Sequence, residues 1–433
     1  MSTTTQTYST ASVDMPDESR QAHAMKSFAQ DFGAVSALQI EACIHCGMCA
    51  DACHYFLATE DPKYTPILKV EPFKQAYKRE SSAFAPFYRL LGLKKEVSAD
   101  ELQEWQELLF DSCNMCGRCS LICPMGIDIA TLIENARRAM FEAGLAPDEL
   151  YQRAREQADS GQPEKSEEGY SDRIAAIGRE HGIDIPIDRD SAEVLACVPR
   201  TDLEQYPEAV VALAKTLKHL GADYTFRSES LVAENYGYYA GSRDWQRKIS
   251  MRIIDQAREI GAKLVLVPEC GHAYTALRWQ AAELAGEELP FRVRHVTEFL
   301  AEQVADGRLR LNQVDDEATA FHDPCQLVRK GGVMDAPRTL MRELGVNLEE
   351  LPNKKGFSFC CAGGGGVNDI ERARPLRYRA QELKLREVDG TGAKRFLTSC
   401  SDCRLAFTDA SEHFDWDKRP ESLLELVAAN IKE

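Results

Sequence analysis

The chemistry of this 433-residue chain is concentrated in its thiols. Cys360-Cys361-Ala362-Gly363-Gly364-Gly365-Gly366 sets two adjacent cysteines beside four glycines. Two neighbouring thiols cannot both point into one ordinary packed core. A glycine run lets the main chain take positive φ and come close to a bulky group. Together they suggest a metal cluster wrapped by backbone, with Gly363, Gly364 and Gly365 as main-chain contacts of the cofactor. Two buried free thiols beside a flexible loop is the plainer reading, but this pair has company. Cys325 lies upstream with 34 residues between it and Cys360, and Cys400-x-x-Cys403 lies downstream with 38 residues between Cys361 and Cys400.

Eight more cysteines form two identical runs. Cys43, Cys46, Cys49 and Cys53 are spaced C-x2-C-x2-C-x3-C, and Cys113, Cys116, Cys119 and Cys123 repeat that spacing before Pro124. This is the ligand run of bacterial-type [4Fe-4S] ferredoxins. Three thiolates two residues apart wrap one face of a cube, Gly47 lets the loop curl, and the fourth cysteine serves the other cluster, so the runs work as a pair. Zinc needs only C-x2-C pairs, with no third and fourth thiol at these offsets. His54 follows Cys53 where proline is usual; it reads as a packing or potential-tuning change, not a ligand. Cys197 and Cys270 remain, as relics or structural thiols.

Composition excludes several classes. A net charge of −17 disfavours non-specific binding to nucleic acid or anionic membrane. No run of 18 apolar residues exists, so no transmembrane segment is expected. The first residues show neither a basic n-region nor an apolar h-region, so the cysteines are expected to serve metal or catalysis rather than disulfides.

The elements that must position these thiols follow from punctuation and periodicity. Residues 1–35 are rich in Ser, Thr, Gln and Asp and read as a mobile tail, turning helical near its end. The 59 residues between the runs are too many for a compact ferredoxin hairpin and read as helices. One is over Pro72 to Arg79, one opens at the capping box Ser98-x-x-Glu101, and another runs from Ile127 to Ala143 and stops at Gly144. An α-helical ferredoxin domain over 36–145 is therefore expected. Within it, 84–93 is apolar and aromatic and is followed by two lysines. It reads as core, or as a segment docking on a partner subunit at the membrane face. Residues 146–190 are charged and read as a linker.

From 191 onward the chain reads as a duplication, a degenerate half over 191–310 and a second half over 311–433. In the first, strand Val194 to Cys197 precedes helix Pro207 to Leu220, and helix Ile249 to Ile260 precedes Ala262-Lys263 and strand Leu264 to Val267. In the second, Ala320 to Cys325 precedes helix Pro337 to Leu344, and Gly392-Ala393-Lys394 precedes strand Arg395 to Leu397. Strands alternating with helices give two α/β units with short parallel sheets, and the fold class is α+β and α/β overall. The first half has Cys270-Gly-His272-Ala273 where the second has Cys400-x-x-Cys403. Two thiols cannot hold a four-iron cluster alone, so one cluster site is expected, held by the second half, with the first supplying a lid. His272 is a lid residue or a structural replacement.

A C…CC…C-x-x-C set in tandem after a ferredoxin domain resembles the CCG-domain iron–sulfur proteins. These include heterodisulfide reductase catalytic subunits and the iron–sulfur subunits of glycolate and anaerobic glycerol-3-phosphate dehydrogenases. Glu269-Cys-Gly-His-Ala273 and His322-Asp-Pro-Cys325 most resemble the K subunit of the sulfite-reductase-associated membrane complex and the D subunit of heterodisulfide reductase. The likeness covers roughly 40–145 and 190–410. It implies a non-cubane [4Fe-4S] cluster on Cys325, Cys360, Cys361, Cys400 and Cys403, beside the two cubane clusters. Ala362 departs from the usual Cys-Cys-Gly.

The resemblance implies an oxidoreductase acting on sulfur groups, exchanging electrons between a haem b or quinone-reactive membrane subunit and a disulfide or persulfide substrate. The chain would then be cytoplasmic and peripheral on the inner membrane, with a sulfur-carrier protein or flavoprotein as a further partner. His322 is the candidate proton donor or support for a ligating thiol, and Arg329 the candidate for an anionic substrate. Gly363 to Gly366 lacks the G-x-G-x-x-G frame, so NAD and FAD are not expected. The alternative is an electron-transfer subunit relaying electrons from a flavin dehydrogenase for a 2-hydroxy acid, glycerol phosphate or methylated amine to quinone.

Overall fold

Each cysteine run turns on the same two left-handed residues. In the computed structural model, which describes residues 14–75, 98–164, 169–230 and 232–432, φ is +53° at His45 and +82° at Gly47 in the first run. In the second it is +50° at Met115 and +75° at Gly117. Each turn opens a five-residue helix, α2 (Met48–Ala52) and its counterpart Arg118–Ile122, and these two pack on one another. A third short helix, α3 (His54–Thr59), follows the first run.

The expected capping box is present: Glu101 N donates to Ser98 Oγ at 3.1 Å and Ser98 N to Glu101 Oε2 at 2.9 Å, opening helix Ala99–Gln106. Helix Ile129–Glu142 is capped by Asp128, and α1 (Asp17–Glu41) lies along it. Ala24, Phe28 and Ile40 of α1 join a buried cluster with Phe73, Trp105 and Leu109, and Arg20 donates to the carbonyl of Ala143 at 3.0 Å. The expectation of a mobile tail to residue 35 is therefore corrected from Asp17 onward. Residues 71–75 are helical; the rest of the helix expected to Arg79 and the segment 84–93 lie outside the described residues.

The expected linker is corrected too. Helix Asp148–Ser160 buries Leu150, Ala154, Gln157 and Ala158, spaced for one helical face, and packs on helix Tyr236–Ala240. Helix Tyr170–His181 buries Ile174 and Ile177.

The duplication is realised as two parallel four-stranded sheets of identical order. Strands β1 (Val194–Ala196), β2 (Tyr224–Thr225), β3 (Leu264–Val267) and β4 (Arg292–His295) lie as β2-β1-β3-β4. Strands β5 (Thr319–His322), β6 (Leu348–Glu349), β7 (Arg395–Thr398) and β8 (Pro420–Ser422) lie as β6-β5-β7-β8. Helices cover the crossovers, as parallel pairing requires. The strands that follow Gly-Ala-Lys are central, and each sheet ends on a further strand, β4 or β8, that the sequence reading lacked. The two halves interlock about a pseudo-twofold: helix Pro207–His219 packs on Leu423–Ala429, and helix Val296–Ala305 packs on Ala336–Glu343. The front domain is tied to the second half by Arg372, which grips Asp111 with two hydrogen bonds of 2.8 and 3.0 Å.

Candidate metal centres

The two front runs exchange their fourth cysteines. Cys43, Cys46 and Cys49 line one cavity together with Cys123, and Cys113, Cys116 and Cys119 line another together with Cys53. The donor chemistry fits a cluster in each: four thiols, apolar walls and no carboxylate among the lining residues. The first cavity lies at the surface. Cys46 is exposed, and Ile44 and Met125, which line the cavity with it, present bare apolar side chains. The second lies deeper, walled by His54, Tyr55, Lys69, Asn114 and Ile133.

The rear thiols are delivered by strand ends. Cys325 and Cys400 follow β5 and β7, the two central strands, whose connections leave in opposite directions along the sheet. Ligands collect at the carboxyl ends of strands at such a switch point. The Cys360-Cys361 loop comes over the same edge. Cys325 Sγ stands 3.6 Å from Cys360 Sγ, and a ring nitrogen of His322 with the sulfurs of Cys361 and Cys403 lie within 4.8 Å of one another. All five cysteines are at most 4% exposed. Cys116 packs against the buried cluster that contains Cys360, so the deeper front cavity and the rear set touch, and the Cys360 thiol holds those of Cys116 and Cys361 below the usual thiol range.

His322 is fully buried at the end of β5 and packs edge-on to Phe407 at 4.9 Å. Neither ring nitrogen makes a hydrogen bond to oxygen or nitrogen. Burial pushes the imidazole pKa down and the neighbouring Cys361 thiol offsets part of that. The ring thus lies beside the sulfurs of Cys361 and Cys403 with no oxygen or nitrogen partner.

The glycines pack on protein. A Cβ on Gly364 would stand 2.7 Å from His272 Cε1, and one on Gly365, where φ is +67°, would stand 2.9 Å from the carbonyl oxygen of Asn114. The close approach these two glycines allow is to the first half and the front domain. His272 of the first half packs on this loop, its Nε2 accepting from Gly365 N at 3.2 Å, and burial holds its pKa down to about 3. Ala362 takes φ of +64°, a conformation alanine adopts at a cost.

Arg329 is held by main-chain carbonyls beside the cysteines. Nε donates to the Cys116 carbonyl at 2.6 Å, and Nη1 to the carbonyls of Gly356 at 3.0 Å and Ser358 at 2.6 Å. It clamps the second cysteine run to the loop ahead of Cys360, and its Nη2 has no hydrogen-bond partner. Cys270 caps a helix, its Sγ accepting from Ala273 N at 3.4 Å, and Cys197 is buried in the first-half core, so both are structural thiols. Sequence reasoning missed Asn114 and Arg137. Arg137 is fully buried and donates to the carbonyls of Leu109, Cys113, Tyr239 and Gly365. Its only advance signal is a lone arginine on the buried face of an apolar helix.

Among the described residues no helix is long and apolar enough to cross a membrane. The 4Fe-4S dicluster domain family matches residues 39–127 and the cysteine-rich (CCG) domain family residues 319–408. The chain is 26% identical over 428 residues to the D subunit of the dihydromethanophenazine:CoB–CoM heterodisulfide reductase of Methanosarcina barkeri, covering 91% of this chain and 95% of that one. It is 24% identical over 429 residues to the Hdr-like menaquinol oxidoreductase iron-sulfur subunit of Archaeoglobus profundus, covering 87% and 76%. It is 25% identical over 409 residues to the EtfAB:quinone oxidoreductase of Syntrophomonas wolfei, covering 88% of this chain and 56% of that one. The dicluster domain implies two [4Fe-4S] clusters, and the rear cysteines suggest a further one. The chain is therefore a 4Fe-4S dicluster and cysteine-rich domain protein related to the D subunit of heterodisulfide reductase and to the iron–sulfur subunits of Hdr-like menaquinol oxidoreductases.

Proposed function

We propose that this protein is an iron–sulfur oxidoreductase subunit that exchanges electrons between a membrane quinone or haem b partner and a disulfide or persulfide substrate. The observation that carries this reading is the convergence of five buried thiols and His322, in contact through Cys116 with the deeper front cavity. Cys325, Cys360, Cys361, Cys400 and Cys403 would hold a non-cubane [4Fe-4S] cluster, which when bound would pass electrons, received one at a time through the front centres, to a sulfur–sulfur bond. In the reductive direction the substrate S–S bond takes up two electrons and breaks, and the two thiolates take up two protons. His322 would take up a proton from water at a ring nitrogen as negative charge develops on the sulfur beside it and pass that proton to one thiolate; the other is protonated by water on release. The exposed Cys46 and its apolar surround make the first cavity the face for a redox partner, so the chain would sit peripherally on a membrane.

A second reading rests on the burial of all five rear cysteines. A site closed to small molecules suits a pure relay, carrying electrons from a flavoprotein to quinone. EPR of the oxidised, anaerobically purified protein separates the two. A thiol substrate should raise a new paramagnetic state at the rear centre; full iron content with no such state would favour the relay.

A further inference from the structure

Two side chains of the front domain reach the rear loop, Arg137 at Gly365 and Asn114 at Ala362 and Gly364. Asn114 lies between Cys113 and Cys116 and is 1% exposed. Its amide nitrogen donates to the carbonyls of Ala362 and Gly364, each at 2.8 Å, and its Oδ1 is 3.0 Å from His54 Nε2. A carboxamide has two N–H donors facing its oxygen acceptor, so this arrangement is directional. Two carbonyls can only accept, which assigns the NH2 to the loop and Oδ1 to His54, and so makes His54 Nε2 the N–H donor. Turning the amide over would set oxygen against two carbonyls. His54, standing where the first run lacks proline, therefore fixes which way Asn114 points.

We propose that Asn114, oriented by His54, is a positioning residue that holds the Cys360-Cys361 loop against the second cysteine run and so keeps the two redox sites in register for electron exchange. The main chain of Asn114 fills the space that a side chain on Gly365 would occupy, and Cys116, two residues on, packs against the buried cluster that contains Cys360. One peptide turn thus sets both the position of the loop and the contact between thiols. The inference rests on the proposed three-centre reading, but it concerns transfer between centres and does not depend on which substrate the rear one serves.

Full-length protein loaded with iron under anaerobic conditions supplies the test. The front centres are reduced with dithionite, without sulfur substrate, and their equilibration with the rear centre is followed by freeze-quench EPR, together with the spin coupling between them. Asn114→Asp, which keeps shape but loses both donors, and His54→Pro, which loses the donor to Oδ1, should each slow equilibration about tenfold or more and weaken the coupling at unchanged iron content. His54→Gln, which keeps a donor, should restore both towards wild type. Unchanged equilibration and coupling in iron-replete Asn114→Asp would overturn the proposal. Should that variant lose iron, iron-replete His54→Pro decides in its place: wild-type behaviour there overturns the proposal, and slowed transfer rescued by His54→Gln supports it. Absence of rear iron in the wild type would instead sink the three-centre reading itself.

Discussion

Arg329 Nε donates to the carbonyl of Cys116 at 2.6 Å, across a sequence separation of 213 residues. With two further carbonyls on Nη1, the guanidinium joins the second cysteine run to the strand of chain that enters the rear site. A planar fork of donors meets three fixed carbonyls, which a lysine ammonium cannot match. Arg329→Met should destabilise the protein by about 3 kcal/mol, since buried hydrogen bonds from a charged group are lost and acceptors left unpaired. Denaturant titration checks this. A substrate-binding role would show instead as a raised KM at unchanged stability.

Crossed ligation makes an unusual pairing of mutants. Cys123→Ser should remove the same EPR signal as Cys46→Ser, although these residues belong to different runs, because both line the surface cavity. Cys53→Ser should likewise match Cys119→Ser. Pairing by run, with Cys123→Ser matching Cys119→Ser, would contradict the geometry.

Ala362 carries a left-handed conformation at φ of +64° and is fully buried. Ala362→Gly relieves the steric cost of that conformation and adds back unfolded-state entropy, leaving a net gain of up to about 1 kcal/mol. The midpoint of denaturation should rise; a fall of the same size would show that the methyl group packs for more than its backbone costs.

Glu269 gives a pH dependence. Burial raises its pKa to about 7, while its carboxylate oxygens accept from Ser422 Oγ at 2.5 Å and Leu424 N at 3.2 Å. The folded protein binds this proton more tightly than the unfolded chain, whose value is near 4.5. Its contribution to stability is whole below about pH 4.5 and is lost as pH rises through 7, a total near 3 kcal/mol. His54 and His272, held down to about 4 and 3 by burial, act oppositely, and only below their unfolded value of 6.5. Between pH 6.5 and 7.5 the buried Glu234, raised to about 8, adds a slope of the same sign, so Glu269→Gln should lessen the fall of stability with pH in chemical denaturation without abolishing it.

Much of this was legible in the chain because it is written locally. Gly47 and Gly117 sit at fixed offsets in their runs and take the left-handed turns that such runs need. Gly-Ala-Lys marks the central strand of each sheet, and Ser98 with Glu101 caps its helix. Helix Asp148–Ser160 was obscured by its charge, though Leu150, Ala154 and Ala158 at intervals of four were a signal to be read. α1 gave less, since small residues such as Ala24 bury well only when a partner helix is already in place. The clamp of Arg329, the grip of Asn114 and the four carbonyls of Arg137 depend on partners more than twenty residues away in sequence, most of them more than a hundred, and no local pattern encodes them. His54 was the exception, visible as a departure from proline before its partner was known.

The central claim is that a third iron–sulfur centre sits on the rear thiols. Iron and acid-labile sulfide counted on anaerobically purified protein, with cysteine alkylation mapped on the same sample, tests it most directly. The account predicts about twelve irons per chain with Cys325, Cys360, Cys361, Cys400 and Cys403 protected until the metal is stripped. About eight irons, with those five thiols alkylated in the native protein, would contradict it.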